Sequence, residues 1–128
     1  MEILDTNLLI WASNAPERLP KKFAMRLKTE RHFYFSLGSI WEVSIKASLG
    51  KADFQIDVGD FYLELLKLGF QELSIAFKHL QAVSQLPLIH RDPFDRLLIA
   101  TAKAENSGKL LTADKTLVAY GEFVLLAR

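Results

Sequence analysis

Carboxylates at five positions of this sequence are the side chains best placed to do chemistry. Asp5 and Asp114 follow short apolar runs that predict strands, and Asp92 precedes a predicted helix. Glu42 and Asp95 lie within apolar helical segments. There is no cysteine, and the three histidines show no metal-ligand spacing. Clustered carboxylates without such partners favour hard cations such as Mg²⁺ or Mn²⁺. Because such an ion lowers the pKa of bound water and stabilises charge on a phosphate, phosphodiester hydrolysis is one reaction that these residues support.

Three of these acids also fit a purely structural role at helix starts. Aspartate is a favoured N-cap that contributes about 1 kcal/mol, and Asp5, Asp92 and Asp114 all precede predicted helices. Asp95 comes three residues after Asp92, with Pro93 at the first helical position, which is typical of an ordinary helix start. We interpret Asp92 as a cap, and for the other acids both interpretations stay open.

Glu42 and Asp95 fit a structural role least well. Glu42 stands four residues before Lys46, the favoured order for a helix-surface ion pair of about 0.2–0.5 kcal/mol. The residues beside both acids are nevertheless apolar: Ile40, Trp41, Val43 and Ile45 around Glu42, and Phe94, Leu97, Leu98 and Ile99 around Asp95. Because burying an unpaired charge is costly, a carboxylate in such a place needs a partner. For Glu42 that partner is either Lys46 or a metal ion.

The placement of the acids depends on the order of strands and helices along the chain. Strands are predicted over residues 3–4, 33–35, 72–75, 109–111 and 123–126, and helices over 6–13, 19–31, 38–49, 58–68, 77–86, 93–106 and 114–120. Strands that alternate with helices favour an α/β fold with a parallel sheet covered by helices. Ligands of such sheets bind beyond the carboxyl ends of the strands, where Asp5 and Asp114 would lie.

Composition limits the class of protein. A chain of 128 residues, half of them apolar, suits one domain over residues 1–128. A net charge of +1 argues against coating nucleic acid by charge alone, although a local basic rim would hold a short RNA. The chain has no cysteine, no basic stretch of a signal peptide at its start, and no apolar run of the roughly 18 residues that span a membrane. We therefore expect a cytoplasmic protein that does not enter a membrane.

Four segments, in this order along the chain, resemble the motifs of the PIN-domain ribonucleases and, within them, of the VapC-like toxins of bacterial toxin–antitoxin pairs. They are Ile3-Leu4-Asp5-Thr6-Asn7, Ser36-Leu37-Gly38-Ser39-Ile40-Trp41-Glu42, His90 to Ala100 (HRDPFDRLLIA), and Leu111-Thr112-Ala113-Asp114. The resemblance implies a three-layer α/β/α sandwich with a short, mostly parallel central sheet. It also implies a metal-dependent endoribonuclease that hydrolyses RNA with a metal-activated water.

Carried over residue by residue, the resemblance implies which side chains form the site. Four acids would bind Mg²⁺ or Mn²⁺ and act in catalysis, and three hydroxyl side chains would orient them: Asp5, Glu42, Asp95 and Asp114, with Thr6, Ser39 and Thr112. Asp5 and Asp95 would be direct ligands. The other two acids would act through water or hold a second ion. Asn7 stands where the family often has a histidine, which bears on the rim of the site and not on its chemistry.

The same resemblance implies partners besides RNA. VapC-like toxins are usually homodimers that a small antitoxin holds inactive by wrapping the toxin and reaching its acidic site. The apolar stripe at Phe61, Leu65 and Leu68 suits such a segment, although a helix face of this kind is more often simply core. Three basic residues near the third motif either contact RNA phosphates or form a solvated face: His90, Arg91 and Arg96.

Two other functions share parts of this pattern. A phospho-receiver signalling domain has a similar sheet and an acidic Mg²⁺ pocket, but it needs adjacent acids after the first strand and an aspartate that ends a central strand near mid-chain. Here Thr6 follows Asp5, and neither Asp53 nor Asp57 follows a predicted strand. An inactive PIN module that only binds nucleic acid would not need acids at all four motif positions. RNA cleavage is therefore the function that we expect.

Overall fold

Five parallel strands form the centre of the protein in a computed structural model that describes residues 1–30 and 32–128. They are β1 (Glu2–Leu4), β2 (Phe33–Ser36), β3 (Gln71–Leu73), β4 (Lys109–Thr112) and β5 (Val124–Leu126). Their order in the sheet is β3-β2-β1-β4-β5, and every neighbouring pair is parallel. The chain builds outward from β1 on one side through β2 and β3, then returns to the other side of β1 with β4. The order of strands therefore reverses between β1 and β4, where α/β sheets bind ligands.

Helices cover both faces of this sheet. They are α1 (Thr6–Asn14), α2 (Lys21–Thr29), α3 (Leu37–Ser48), α4 (Val58–Lys67), α5 (Phe77–Val83) and α6 (Pro93–Ala104), with 3₁₀ turns at Pro16–Arg18 and Lys115–Tyr120. Successive strand residues point to opposite faces. Leu4 and Leu111 pack in one core with α1 to α4, whereas Ile3 and Leu110 pack in a second core with α5 and α6. Both strand faces are therefore buried, and the predicted three-layer α/β/α sandwich is confirmed.

The predicted elements differ from the structure mainly at their ends. The predicted helix 77–86 stops at Val83. The N–H groups of Ser84, Gln85 and Leu86 donate to carbonyl oxygens three residues earlier, and not four as in an α-helix. The predicted helix 19–31 begins only at Lys21, and its last residue lies outside the described residues. The last predicted helix is a 3₁₀ turn.

Apolar helix faces serve mostly for packing. Phe61 and Leu65 are buried, so the core interpretation of their stripe is confirmed, but Leu68 is 40% exposed. Leu68 instead lines an apolar cavity of about 160 Å³, together with Leu19, Leu27, Phe33 and Phe70 among others. In the part of the chain that the structure describes, no helix is both long enough and apolar enough to cross a membrane.

Candidate metal centre

Three adjacent strands deliver the predicted acids to one edge of the sheet. Asp5 directly follows β1, β2 leads directly into α3, and Asp114 lies shortly after β4. The backbone N–H of Asp5 donates to the carbonyl of Leu111 (2.9 Å), so the β1–β4 ladder continues to the site. Because β2 and β4 flank β1, residues at the three carboxyl ends converge.

The fourth acid reaches the same edge because α6 packs closely on α3. Gly38, in the first turn of α3, makes this approach possible. A Cβ at that position would lie 2.8 Å from Cδ2 of Leu97 in α6. The start of α6, which carries Asp95, is thereby held beside the turn of α3 that carries Glu42.

Asp5 is both a helix cap and a buried carboxylate. Its Oδ1 accepts a hydrogen bond from the N–H of Leu8 (2.9 Å), which caps α1, and its Oδ2 accepts one from the hydroxyl of Thr112. The side chain is buried. Burial raises the pKa of Asp5 and the charge of Glu42 adds to the rise, while the hydrogen bonds from Thr112 and Leu8 oppose it. The structural and functional interpretations of this residue are therefore compatible.

Glu42 is the acid with the least complete set of partners. Its Oε2 pairs with Nζ of Lys46 at 3.0 Å, so the ion pair anticipated from the sequence is present. Its Oε1 is buried and accepts no hydrogen bond from any residue in the described ranges 1–30 and 32–128. The charge of Glu42 raises the pKa of both Asp5 and Asp95, so Glu42 is close enough to act on both carboxylates. Lys46 alone therefore does not complete its surroundings.

Asp95 lies in the first turn of α6, beside the cap. Asp92 caps that helix by accepting from the N–H groups of Phe94 and Asp95, which confirms its interpretation as a cap. Burial and the neighbouring charge of Asp92 raise the pKa of Asp95 to about 6, against the lowering effect of a hydrogen bond with His90. Oδ2 of Asp95 lies 2.9 Å from Nε2 of that histidine.

Asp114 follows β4 and caps the second 3₁₀ turn. Its Oδ1 accepts from both the N–H (2.9 Å) and the hydroxyl (2.7 Å) of Thr116. These hydrogen bonds, together with the charge of His90, hold the pKa of Asp114 below its ordinary value. Single ligand atoms of His90, Asp95 and Asp114 all lie within 4.8 Å of one another. These three residues are thus brought together tightly enough to bind one ion.

The predicted hydroxyl partners fall into two groups. Thr112 donates to Asp5 and accepts from the N–H of Asp114 (3.0 Å), so it joins two of the acids. Thr6 instead donates to the hydroxyl of Ser39 (2.9 Å), and both side chains are buried. This pair ties α1 to α3 directly behind the carboxylates.

The three basic residues near the third motif differ in what they contact. Arg91 is exposed. His90 is partly buried against Asp95. Arg96 donates to backbone carbonyl oxygens, among them those of Val83 (3.3 Å) and Pro87 (2.9 Å), and to the hydroxyl of Tyr120 (3.2 Å). Its guanidinium therefore fixes the segment between α5 and α6, a role that the sequence did not indicate.

The residues present fit a divalent cation. A buried carboxylate oxygen without a hydrogen-bond donor is costly, and a cation would remove that cost. The acids are all oxygen donors, which suit Mg²⁺ or Mn²⁺. The charge of Glu42 also repels the charges of Asp5 and Asp95, since it raises the pKa of both carboxyls. The site is therefore arranged for a positive charge that its own side chains only partly supply.

Comparison with known proteins agrees with this geometry. Residues 3–122 match the PIN domain family, and the chain belongs to it. PIN domains are generally nucleases.

Two solved structures share the fold. One is a chain of VapBC2 from Rickettsia felis in a crystal structure bound to a DNA fragment from the promoter of VapBC2. It has a TM-score of 0.68 and 16% sequence identity, and the match covers 98% of this chain and 96% of that chain. The other is PAE2754 from Pyrobaculum aerophilum, with a TM-score of 0.58, 16% identity, and coverage of 98% and 82%. At this identity the likeness shows the fold alone. No curated protein matches the chain.

Proposed function

We propose that this PIN domain is a metal-dependent endoribonuclease. The observation that carries the proposal is the buried Oε1 of Glu42, which has no hydrogen-bond partner among the described residues and lies beside two further carboxylates. A divalent cation there supplies an activated water and stabilises charge on a phosphate when it is bound. The fold and the family support the same chemistry.

The four acids would share this work unequally. Asp5 and Asp95 are proposed as direct ligands of Mg²⁺ or Mn²⁺, and Glu42 and Asp114 as ligands through water or of a second ion. Thr112 holds Asp5 and the backbone of Asp114 in place. Because Asp5 and Asp114 accept backbone and hydroxyl hydrogen bonds and Asp95 is hydrogen-bonded to His90, these three carboxylates are positioned before any ion arrives.

An unpaired stretch of RNA is the proposed substrate. Trp41, next to Glu42, is 56% exposed, and it meets Phe94, next to Asp95, in an edge-to-face contact with 4.9 Å between ring centroids. Aromatic side chains beside a nuclease site would stack on bases that are not paired. The low net charge favours a short bound segment over a long duplex. A ribonuclease of this kind would act in the cytoplasm.

A toxin role and two protein partners are proposed on the strength of the fold. The VapBC2 protein with this fold is part of a VapBC pair, which supports an antitoxin partner for this chain. The apolar cavity beside Leu68 and the exposed apolar side chains of α3 and α4 offer surface for that antitoxin or for a second copy in a homodimer. The exposed set on α3 and α4 comprises Trp41, Ile45, Leu49, Leu63 and Leu66.

A phospho-receiver function has no support in this fold. Asp57 caps α4 by accepting from the N–H of Asp60 (2.9 Å), and Asp53 lies in the same loop between α3 and α4. Neither follows a strand, so the acid that a receiver domain phosphorylates is missing from the expected place.

Expression of this chain without an antitoxin should arrest bacterial growth, because RNA cleavage that nothing inhibits depletes the RNAs that translation needs. Cells that express the Asp95→Asn variant at the same level should grow normally, since the substitution removes one proposed metal ligand. Asp57→Asn is the matched control: it neutralises an aspartate at the start of another helix, outside the acidic site, and cells that express it should still be arrested. The measurement is viable count after induction, with protein level checked by immunoblot. Normal growth with the wild-type chain at equal level would contradict the toxin role.

A further inference from the structure

His90 is the feature of the site that the four-acid scheme leaves without a function. Its ring stands at the end of the segment that links α5 to α6, with Nε2 2.9 Å from Oδ2 of Asp95. It belongs to the same group of ligand atoms as Asp95 and Asp114, all within 4.8 Å of one another. An imidazole nitrogen is itself a good metal ligand.

The position of His90 is fixed by contacts that do not involve its ring. Its N–H donates to the hydroxyl of Tyr120 (2.8 Å), which also accepts from Nη1 of Arg96 (3.2 Å). Nη1 of Arg96 in turn donates to the carbonyl of Pro87 (2.9 Å). The backbone of His90 is thus tied to α6 and to the 3₁₀ turn that carries Asp114 at its start. The ring is therefore held at the acids before an ion binds, as is expected of a ligand on a rigid support.

An independent feature marks this place as a cation site. The side chain of Glu42 is more than nine-tenths buried, and its Oε1 has no partner in the described part of the chain. Glu42 lies near Asp95, since the rings of their neighbours Trp41 and Phe94 are 4.9 Å apart and the charge of Glu42 acts on Asp95. Both Glu42 and His90 therefore neighbour the same acid, Asp95.

We propose that Nε2 of His90 is a direct ligand of the divalent ion, together with Asp95 and Asp114. This inference rests on the proposed metal centre and deepens it. For both side chains to bind the ion, the proton shared between Nε2 of His90 and Oδ2 of Asp95 would be released to solvent, and each atom would then bond to the ion. A nitrogen donor disfavours Mg²⁺, which prefers oxygen, and favours first-row transition ions. The centre is therefore selective for a transition ion such as Co²⁺ or Mn²⁺ over Mg²⁺.

Electron spin-echo spectroscopy of Mn²⁺ bound to the purified protein tests this directly. A coordinated imidazole gives a ¹⁴N modulation, which we expect in the wild-type protein and not in His90→Ala or His90→Gln. The glutamine variant keeps a hydrogen-bond donor near Asp95, so it separates loss of the ligand from loss of local structure. The affinity ratio of Co²⁺ to Mg²⁺ should also fall by about tenfold or more in both variants, as is usual for loss of a metal-site contact.

His32→Ala is the matched control. His32 is exposed and lies beside Glu2 and Glu30, a second group of possible ligands that Arg26 already neutralises by pairing with both acids. Its removal should leave the ¹⁴N modulation intact. Mn²⁺ binding without nitrogen modulation, or a modulation lost only in His32→Ala, would overturn the inference and leave an all-carboxylate centre standing. No Mn²⁺ binding at all would overturn both the inference and the proposed metal centre.

Discussion

Asp5→Asn should lose RNA cleavage by about a thousandfold or more while the protein stays folded. Asparagine caps a helix about as well as aspartate, so the N–H of Leu8 keeps its acceptor. The negative charge that would bind the ion is lost, and a thousandfold loss corresponds to about 4 kcal/mol of transition-state stabilisation. The measurement is the single-turnover rate on a labelled RNA in Mg²⁺ or Mn²⁺.

Asp57→Asn controls for the change of a capping aspartate in general. Asp57 caps α4 through the N–H of Asp60 in the same way that Asp5 caps α1. This control should cleave at the wild-type rate. A full rate for Asp5→Asn, with a circular dichroism spectrum that matches the wild type, would show that Asp5 is a structural cap only.

Neutralising Asp95 should stabilise the protein when no divalent ion is present. The folded state holds this carboxyl in a partly buried place near other acids, which raises its pKa from 3.8 to about 6. Because the folded pKa lies above the unfolded one, the folded state binds more protons between these values, and the free energy of unfolding falls as the pH rises from about 4 to 6. The Asp95→Asn variant has no carboxyl at this position, so its free energy of unfolding does not fall for this reason as the pH rises. It should therefore be more stable than wild type above pH 6, and the gap should close as the pH falls to 4.

The expected size of this gap is about 1–2 kcal/mol. A rise in the pKa of Asp95 from 3.8 to about 6 would correspond to about 3 kcal/mol, because each pKa unit is worth about 1.4 kcal/mol. The expected gap is smaller because a quarter of the Asp95 side chain is exposed and solvent screens part of the repulsion. Urea denaturation of both proteins, freed of divalent ions, measures it at pH 4 and pH 7.

The Asp114→Asn variant is a control for which the expected change in stability has the opposite sign. Hydrogen bonds from Thr116 lower the pKa of Asp114, so its charge stabilises the folded state at neutral pH. The asparagine variant should therefore be less stable than wild type at pH 7, and the difference should be lost as the pH falls through the lowered pKa. Opposite shifts for the two variants would exclude a general effect of removing acids.

Added Mg²⁺ or Mn²⁺ should reverse the order of stability between wild type and Asp95→Asn. An ion that binds only the folded state stabilises it by about 2.7 kcal/mol at a hundredfold excess over the dissociation constant. The Asp95→Asn variant, which lacks one proposed ligand, should gain less. If wild type melts at one temperature with and without saturating ion, and Asp95→Asn is the less stable protein without it, the acids are structural and the metal centre is wrong.

The sequence predicted the sheet and the strand-end acids because both depend on local patterns. Wholly apolar runs such as residues 109–111 indicate strands buried on both faces, and the structure places Leu110 and Leu111 in opposite cores. Once the strands are parallel, the residues after β1 and β4 must meet at one edge. Asp5 and Asp114 therefore come to the same edge without any knowledge of tertiary contacts.

The roles of His90 and Arg96 escaped sequence analysis because they depend on an irregular segment. Residues 87–92 have no helical or strand period, so nothing in the sequence indicated that carbonyls such as those of Val83 and Pro87 would accept hydrogen bonds from Arg96. The spacing of the three histidines from one another carries no signal for His90. The partners of His90 are instead carboxylates on two other elements, which only the fold brings within reach.

Glu42 shows why both of its sequence interpretations were incomplete. The spacing to Lys46 predicted an ion pair, and the apolar neighbours predicted burial, and both are present. One oxygen serves the ion pair and the other is buried without a donor in the described chain. A pattern along one helix cannot distinguish the two oxygens of a carboxylate, because their surroundings come from different elements.

The most direct test of a metal-dependent ribonuclease is the chemistry of the ends that it leaves on RNA. A labelled single-stranded RNA is incubated with the purified chain in Mg²⁺, in Mn²⁺ and in chelator, and the products are analysed for their terminal groups. We expect cleavage only with a divalent ion, and no 2′,3′-cyclic phosphate, because an activated water and not the neighbouring 2′-hydroxyl attacks the phosphate. Cleavage in chelator with cyclic phosphate ends, or no cleavage of RNA under any of these conditions, would contradict the account.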